Sequence, residues 1–471
     1  MTPHRWLWIG PGDLRIEREQ CRDEGRDLAP FEGRFDELIA AMEAVPDGYD
    51  PRLNERAGRL LDRTVRARMR KAYPFDEPSA WPAIRARRGP AVDLPPDAPT
   101  GDALLDRIHG AWTGRCCGCL LGKPVEGRRR AQIETVLKSQ GRWPLDDYWS
   151  GRIDDAVRKA ASFPAWLTPD NPMHVDNLDH MPEDDDTNYT AAGLGIVKRH
   201  GAGFTPSQVG EFWASNIPLL HTCTAERVAY RNFALGRPAV DAAGRCAERF
   251  STATWRNPYR EWIGAQIRAD FYGYVCPGRP ARAAELAWRD AAFSHVKNGL
   301  YGEMWVAAML AAAFVCDDVE TVIRAGLAQV PARSRFTRDI EEVFAWRRAG
   351  KTCGQAADAV HAKWDEANGH HWCHTNSNAQ IVAMALLWGG KDFGKTIAAA
   401  VMPGFDTDCN GATAGSVLGL ILGRAALPER WTRPLRDTLH TGVAGYLVVT
   451  LADLARETAA LIEKTRAGGE G

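Results

Sequence analysis

The sequence predicts an all-α protein: a large single-domain, multi-helix bundle carrying a helical N-terminal extension. Three observations lead there. Apolar residues recur at steps of three and four in segment after segment beyond residue 100, period-two alternation is scarce, and Gly or Pro bounds the segments where helices must stop. The chain has 471 residues, 45% hydrophobic and 25% charged, which is enough apolar mass for a sizeable core. With 59 Lys plus Arg against 60 Asp plus Glu, the formal net charge is -1. That balance excludes a protein whose whole surface binds polyanions, so nucleic acid is not expected as a partner.

The elements follow in order. The apolar run Trp6, Leu7, Trp8, Ile9 is broken by Gly and Pro and soon followed by charges, unlike a signal peptide. From Arg52 to Lys71, Leu53, Ala57, Leu60, Leu61, Val65 and Met69 form one helical stripe with Arg on the other faces, and the charges read as a solvated face. Between residues 74 and 99 stand Pro74, Pro78, Pro82, Pro90, Pro95, Pro96 and Pro99, a composition that cannot sustain helix and predicts a linker or wrapping arm. Helices are then expected over Ala103–Leu121, Thr187–His200, Ala281–Ala292, Tyr301–Cys316, Val319–Gln329, Thr337–Ala349, Asn378–Leu387 and Gly411–Leu422. The expected organisation is an extension over 1–100, with its Pro-rich linker at 74–99, and one all-α domain over 101–471. The apolar run Met304–Cys316 is too short to cross a bilayer. Eleven cysteines without a secretion signal suggest reduced thiols and a cytoplasmic location.

Chemistry concentrates at two helix entrances. Glu183, Asp184, Asp185 and Asp186 precede Thr187, and more carboxylates crowd there than a helix cap uses. Adjacent like charges invite a cation, and hard oxygen ligands select magnesium, calcium or manganese over zinc. Asp406 and Asp408 open the Gly411–Leu422 segment in the same way. Brought together, the two turns would offer carboxylates enough for a two-metal site; apart, each is a helix cap. The segment Gly110 to Glu126 contains no phosphate-binding loop of the GxxxxGK[ST] kind, so a nucleoside-triphosphate site is not expected.

The Gly-rich helix ending in Leu121-Gly122-Lys123-Pro124-Val125-Glu126, then Asp184-Asp185-Asp186-Thr187, then Asp406-Thr407-Asp408 followed by Ala414-Gly415, resembles the ADP-ribosylglycohydrolase family over roughly residues 102 to 450. The resemblance implies an all-α fold, a pair of magnesium ions, and hydrolysis of the bond joining ADP-ribose to a protein side chain or other acceptor. It implies that Asp184, Asp185, Asp186, Asp406 and Asp408 are metal ligands, with Asp184 standing where the family has Thr. Cys409 stands where a hydroxyl ligand is common, and a thiol is a poor magnesium ligand. Asn410, Thr407 or water would then fill that position. Glu126 matches an acidic residue near the metals; Glu126, Asp185 and Asp408 are the expected catalytic groups. The stretch Ser294 to Glu303 resembles the family's cleft-lining segment and implies His295, Asn298 and Tyr301 as substrate contacts.

Two constellations have plainer readings. Cys116, Cys117 and Cys119 with His370, His371, Cys373 and His374 could form a zinc site, but the spacing is no finger or ribbon and the thiols lie on a helical pattern. Trp364, Trp372 and Trp388 read as core, with Trp372 a candidate to border the cleft. The expected function is a magnesium-dependent glycosidic hydrolase. The alternatives are an N-glycosidase acting on a smaller ribosyl or nucleoside compound, and a non-catalytic binding protein derived from the family.

Overall fold

The computed structural model describes residues 4–46, 48–162 and 170–467. Among them the only sheet is a pair of short antiparallel strands, Thr438–His440 and Val448–Thr450, with Leu439 opposite Val449; all other regular structure is helical.

At the centre two helices touch backbone to backbone. Gly101–Gly122 carries Gly110, Gly114, Gly118 and Gly122 at every fourth position, and Thr407–Leu422 carries Gly411, Gly415 and Gly419 at the same spacing. Each set therefore lines one helix face. The helices run antiparallel: Gly110 lies on Gly419, Gly114 on Gly415, Gly118 on Gly411, and Gly122 on Thr407. A Cβ at any of these glycines would overlap the partner's main chain. The Thr407 hydroxyl locks the end of the seam by donating to the Gly122 carbonyl at 2.8 Å. This seam fixes the start of the second helix against the end of the first, the two places where the sequence concentrates Asp406, Asp408 and Glu126.

The remaining predicted helices are present with shifted ends, as Asp185–His200, Pro280–Ala291, Asn298–Ala313, Val319–Leu327, Arg335–Arg348 and Thr375–Gly389. Asn298–Ala313 is buried on every side, which explains the apolar run at its end. Among the described residues no helix is long and apolar enough to cross a membrane.

The N-terminal residues form helices Pro11–Asp23, Glu32–Glu43 and Pro51–Thr64 around a small apolar cluster of their own that includes Leu14, Phe35, Ile39 and Leu61. Asp50 starts the third by accepting from the Arg52 and Leu53 amides, both at 2.8 Å. That helix stops at Thr64 rather than near Lys71. The chain beyond it leaves the helix to bond another segment: Asp27 N–H donates to Arg68 O and Arg70 N–H to Gly25 O. The Pro-rich stretch is a wrapping arm, but it does contain a short helix, Trp81–Arg85, because Pro82 sits in its first turn where no amide donor is needed.

Buried ion pairs pin arm and extension to the body. Arg260 reaches Glu17 and Glu24 at 2.6 Å each, and Arg335 reaches Glu77 at 3.0 Å and Glu261 at 2.6 Å. All are nearly or fully shielded from water.

Candidate active site

The acid-rich turn at Asp184 opens helix Asp185–His200, and Asp184 caps it by accepting from the Asp186 amide at 2.9 Å. Asp406 occupies the equivalent place before Thr407–Leu422 without a capping bond. The glycine seam brings these entrances together. Ligand atoms of Asp186, Asp408 and Cys409 all lie within 4.8 Å of one another, as do those of Glu126, Asp406 and Asp408, and those of Cys119, Asp184 and Asp186. Asp186 and Asp408 thus join turns more than 200 residues apart in sequence. Asp184, Asp186, Asp406 and Asp408 are buried, Asp185 is half-buried, and Glu126 is exposed at the rim.

Such crowding shows in the proton affinities. Burial, then Asp184 and Asp408, pushes the Asp185 carboxyl well above its ordinary value; burial and Asp408 do the same to Asp406. Burial and Asp184 raise Asp408, and Asp408 foremost raises Glu126. Asp186 is raised by burial despite Arg115. Asp184 goes the other way: burial would raise it, but the Lys123 ammonium in contact with it overrides that and holds the carboxyl low.

Part of the negative charge is met by the protein. Arg115, wholly buried, donates to Asp186 Oδ1 at 3.0 Å and to Asp270 at 2.8 Å. Arg115, Cys119 and Lys123 are four residues apart and form one stripe beside the glycine stripe, aimed at Asp184 and Asp186. Sequence reasoning missed this stripe; its signal was two cations spaced eight apart in an otherwise apolar, Gly-rich segment. The charge is not fully met. Asp186 Oδ2 and Asp408 Oδ1 are buried with no hydrogen-bond partner, as are Asn410 Oδ1 and Thr413 Oγ1. Buried carboxylate oxygens without partners are costly, and a hard divalent cation is the group these donors fit. Asp184 is the least available of the set because both its oxygens are engaged. Thr407 is committed to Gly122, leaving Asn410 as the open oxygen beside Cys409.

The other expected residues have hydrogen-bond partners outside the five aspartates. Asn298 donates to Glu77 of the arm at 3.0 Å and to Glu261 of the body at 2.7 Å and accepts from the Phe336 amide, so its side chain ties arm to body. The Tyr301 hydroxyl donates to the Pro78 carbonyl. The Tyr301 hydroxyl and one Asn298 N–H thus meet acceptors that the arm supplies and that sequence alone did not place there. His295 is buried, 2.8 Å from Ser294 Oγ and 3.8 Å from Glu226, and burial with Arg268 nearby holds it well below the usual imidazole range.

The thiols and imidazoles of the zinc reading are not gathered with one another: among the described residues no group of three or more ligating atoms mixes Cys116, Cys117 or Cys119 with His370, His371 or His374, and His370 and His374 instead meet Asp23. Trp364 is buried against Gln380, while Trp372 and Trp388 are half-buried on the core's edge.

A helical protein that gathers carboxylates from two helix entrances around unpartnered oxygens has the donor set of a metal-assisted hydrolase. Residues 100–468 match the family model described as ADP-ribosylglycohydrolase, and the chain belongs to that family. It is a hydrolase of glycosidic bonds, in a metal-dependent family that acts on ADP-ribosylated substrates. A solved structure described as an ADP-ribosylglycohydrolase-related protein complex is similar at 19% identity and a TM-score of 0.46, over 77% of this chain and 99% of that one. No curated protein matches this chain. The first 99 residues lie outside the family match.

Proposed function

We propose that this enzyme removes ADP-ribose from a protein side chain or other acceptor, and that it does so with two magnesium ions. The observation that carries the reading is that Asp186 and Asp408, carboxylates from separate turns with ligand atoms within 4.8 Å of each other, each keep one buried, unpartnered oxygen, Asp186 Oδ2 and Asp408 Oδ1. Asp185, Asp186, Asp406 and Asp408 would hold the ions, with Asp184 contributing as far as Lys123 permits. When bound, the ions supply positive charge that acidifies water and binds sugar hydroxyls.

The chain's own groups do the rest. Attack at an anomeric carbon passes through an oxocarbenium-like state, and the surrounding carboxylates stabilise its positive charge. Asp185, half-buried and near enough to Asp184 and Asp408 to be raised by both, is suited to orient the nucleophile; Asp408, at the centre of two ligand groups, fixes the cluster's geometry. Glu126 sits at the rim within reach of Asp406 and Asp408, where a carboxyl can pass a proton to a leaving group. Arg115 and Lys123 are positioning residues that hold Asp186 and Asp184. The unpaired cysteines support a reducing, cytoplasmic compartment.

The test is to incubate the full chain with magnesium and either an ADP-ribosylated protein or a simple nucleoside, and to separate the products by chromatography. Free ADP-ribose supports the proposal. Ribose released from the nucleoside alone would transfer the activity to smaller ribosyl compounds, and no release from either would overturn it.

A further inference from the structure

A groove of about 300 Å³ runs between two helices of the N-terminal extension, Glu32–Glu43 and Pro51–Thr64. Leu38 and Leu60, each 4% exposed, make its floor, and the exposed Arg34, Arg56, Arg59 and Arg63 make its walls. Glu37 is the one carboxylate in the lining, and Arg56 already holds it. All of these residues lie ahead of the family match, which begins at residue 100.

The sequence alone reads this charge run as a solvated face, on which opposite charges alternate. The structure sorts them instead. Glu32, Asp36 and Glu43 turn to the helix Pro11–Asp23: Glu32 meets Arg22 and Asp36 meets Arg18, both at 2.7 Å, and Glu43 meets Arg15. Asp62 and Glu55 reach Arg256 of the body at 3.0 and 3.5 Å, and Glu55 also reaches Arg59 at 3.2 Å. The carboxylates are thus used to hold the extension together and to the body. Eight Lys or Arg stand between Arg52 and Lys71 against Glu55 and Asp62 alone, and all eight are exposed. Among the described residues Arg34, Arg52, Arg63 and Arg66 meet no carboxylate at ion-pair distance. A concave surface walled by one sign of charge focuses its field on an ion of the other.

Floor and walls together select the chemistry of what binds. Arg52, Arg56, Arg59 and Arg63 follow one another at steps of four, three and four, so they line one helix face over about 16 Å. An extended peptide covers that length with about five residues, and its side chains point alternately to opposite faces. Carboxylates suit the walls, because a guanidinium group can pair with a carboxylate through two parallel N–H···O bonds. An apolar side chain suits the leucine floor. Nucleic acid fits less well, since no residue of the lining is aromatic and the groove offers no platform for a base.

We propose that this groove docks an acidic, extended segment of a partner protein. Its carboxylates pair with Arg34, Arg59 and Arg63, and an apolar side chain between them covers Leu38 and Leu60. The surface uses no residue of the carboxylate cluster, so it stands or falls apart from the hydrolase reading. Buried ion pairs from Glu17 and Glu24 to Arg260 fix the extension to the body, so a docked segment is held on the enzyme itself rather than on a free tail.

The test is fluorescence anisotropy of the full chain at low salt with a labelled peptide of about eight residues that alternates glutamate and leucine. This peptide is expected to bind, and its glutamine–leucine counterpart and a DNA duplex of equal charge to bind about tenfold more weakly or worse. Arg34→Glu/Arg63→Glu, two exposed changes that break no ion pair, should weaken the peptide about tenfold or more. Arg85→Glu/Arg433→Glu makes the same change in net charge at exposed positions outside the groove, and should leave the affinity within about twofold. The proposal is overturned if the acidic peptide does not bind, or if the glutamine peptide or the duplex binds as tightly. It is equally overturned if the groove variant keeps wild-type affinity or the control variant loses as much.

Discussion

Replacing Gly114 with Ala tests whether the glycine seam sets the geometry of the active site. The new Cβ would stand 3.0 Å from the Gly415 carbonyl carbon and 3.1 Å from Gly419 Cα, with the Gly415 oxygen nearer still. Carbon atoms in ordinary contact sit about 3.5–4.0 Å apart, so the helices must part by about 0.5–1 Å. Backbone cannot rotate aside as a side chain can. Overpacking of this kind costs about 1–3 kcal/mol, while Ala for Gly within a helix returns about 1 kcal/mol. The expected net loss is about 0–2 kcal/mol by denaturant unfolding. The effect on catalysis should be larger, because Asp406 and Asp408 ride on the displaced helix, and a misplacement near 1 Å costs about 100-fold in rate. Gly33→Ala is the control: its Cβ would meet nothing within 4 Å, and stability should stay level or rise. A Gly114→Ala enzyme as stable as wild type, with a rate within twofold, would refute the reasoning.

Three further outcomes follow from buried charge. In metal-free protein Asp408→Asn removes a crowded buried carboxylate, so its unfolding free energy should rise by about 1–3 kcal/mol, while the stabilisation that magnesium gives wild type should vanish; thermal melts with and without magnesium read both, and a variant still stabilised by magnesium would contradict the ligand assignment. Arg260→Met strands Glu17, 1% exposed, whose only cation among the described residues is Arg260, while Glu24 keeps Arg26 and Lys297, and should cost about 3–5 kcal/mol in urea unfolding; a loss under about 1 kcal/mol would mean the extension is held by other contacts. Burial raises Glu226 from 4.5 to about 7 in spite of Arg268, so between those values the folded protein keeps a proton that the unfolded chain has released. Its stabilising contribution is complete below pH 4.5 and is lost as pH rises through 7, by about 3 kcal/mol. Wild type should therefore lose stability relative to Glu226→Gln across that window, and parallel pH profiles would contradict the assignment.

Helical periodicity and Gly or Pro boundaries were enough to read the body, because Thr187–His200 and Gly411–Leu422 bury nearly every residue and their patterns have no rival in strand form. The acid clusters were legible because charge is wasted at a helix entrance unless something uses it. Their meeting was foreshadowed by the glycines at every fourth position, whose purpose appears only when both helices are in view. Asn298 and Tyr301 mark where sequence reading stops: their residue types suit a ligand as well as they suit Glu77 and Pro78, and only tertiary structure decides which acceptor arrives. Pro51–Thr64 ended early for a similar reason, since its tail pairs with residues near Gly25 that no local pattern reveals.

The most direct test of the central claim, that carboxylates from two helix entrances hold magnesium for glycosidic hydrolysis, is a metal titration of the EDTA-stripped enzyme that follows ion binding and ADP-ribose release together. The account predicts two ions bound per chain, a rate that is absent without metal and returns with magnesium, and neither binding nor rate in Asp186→Asn/Asp408→Asn. Full hydrolysis by the stripped enzyme, or by that variant, would contradict it.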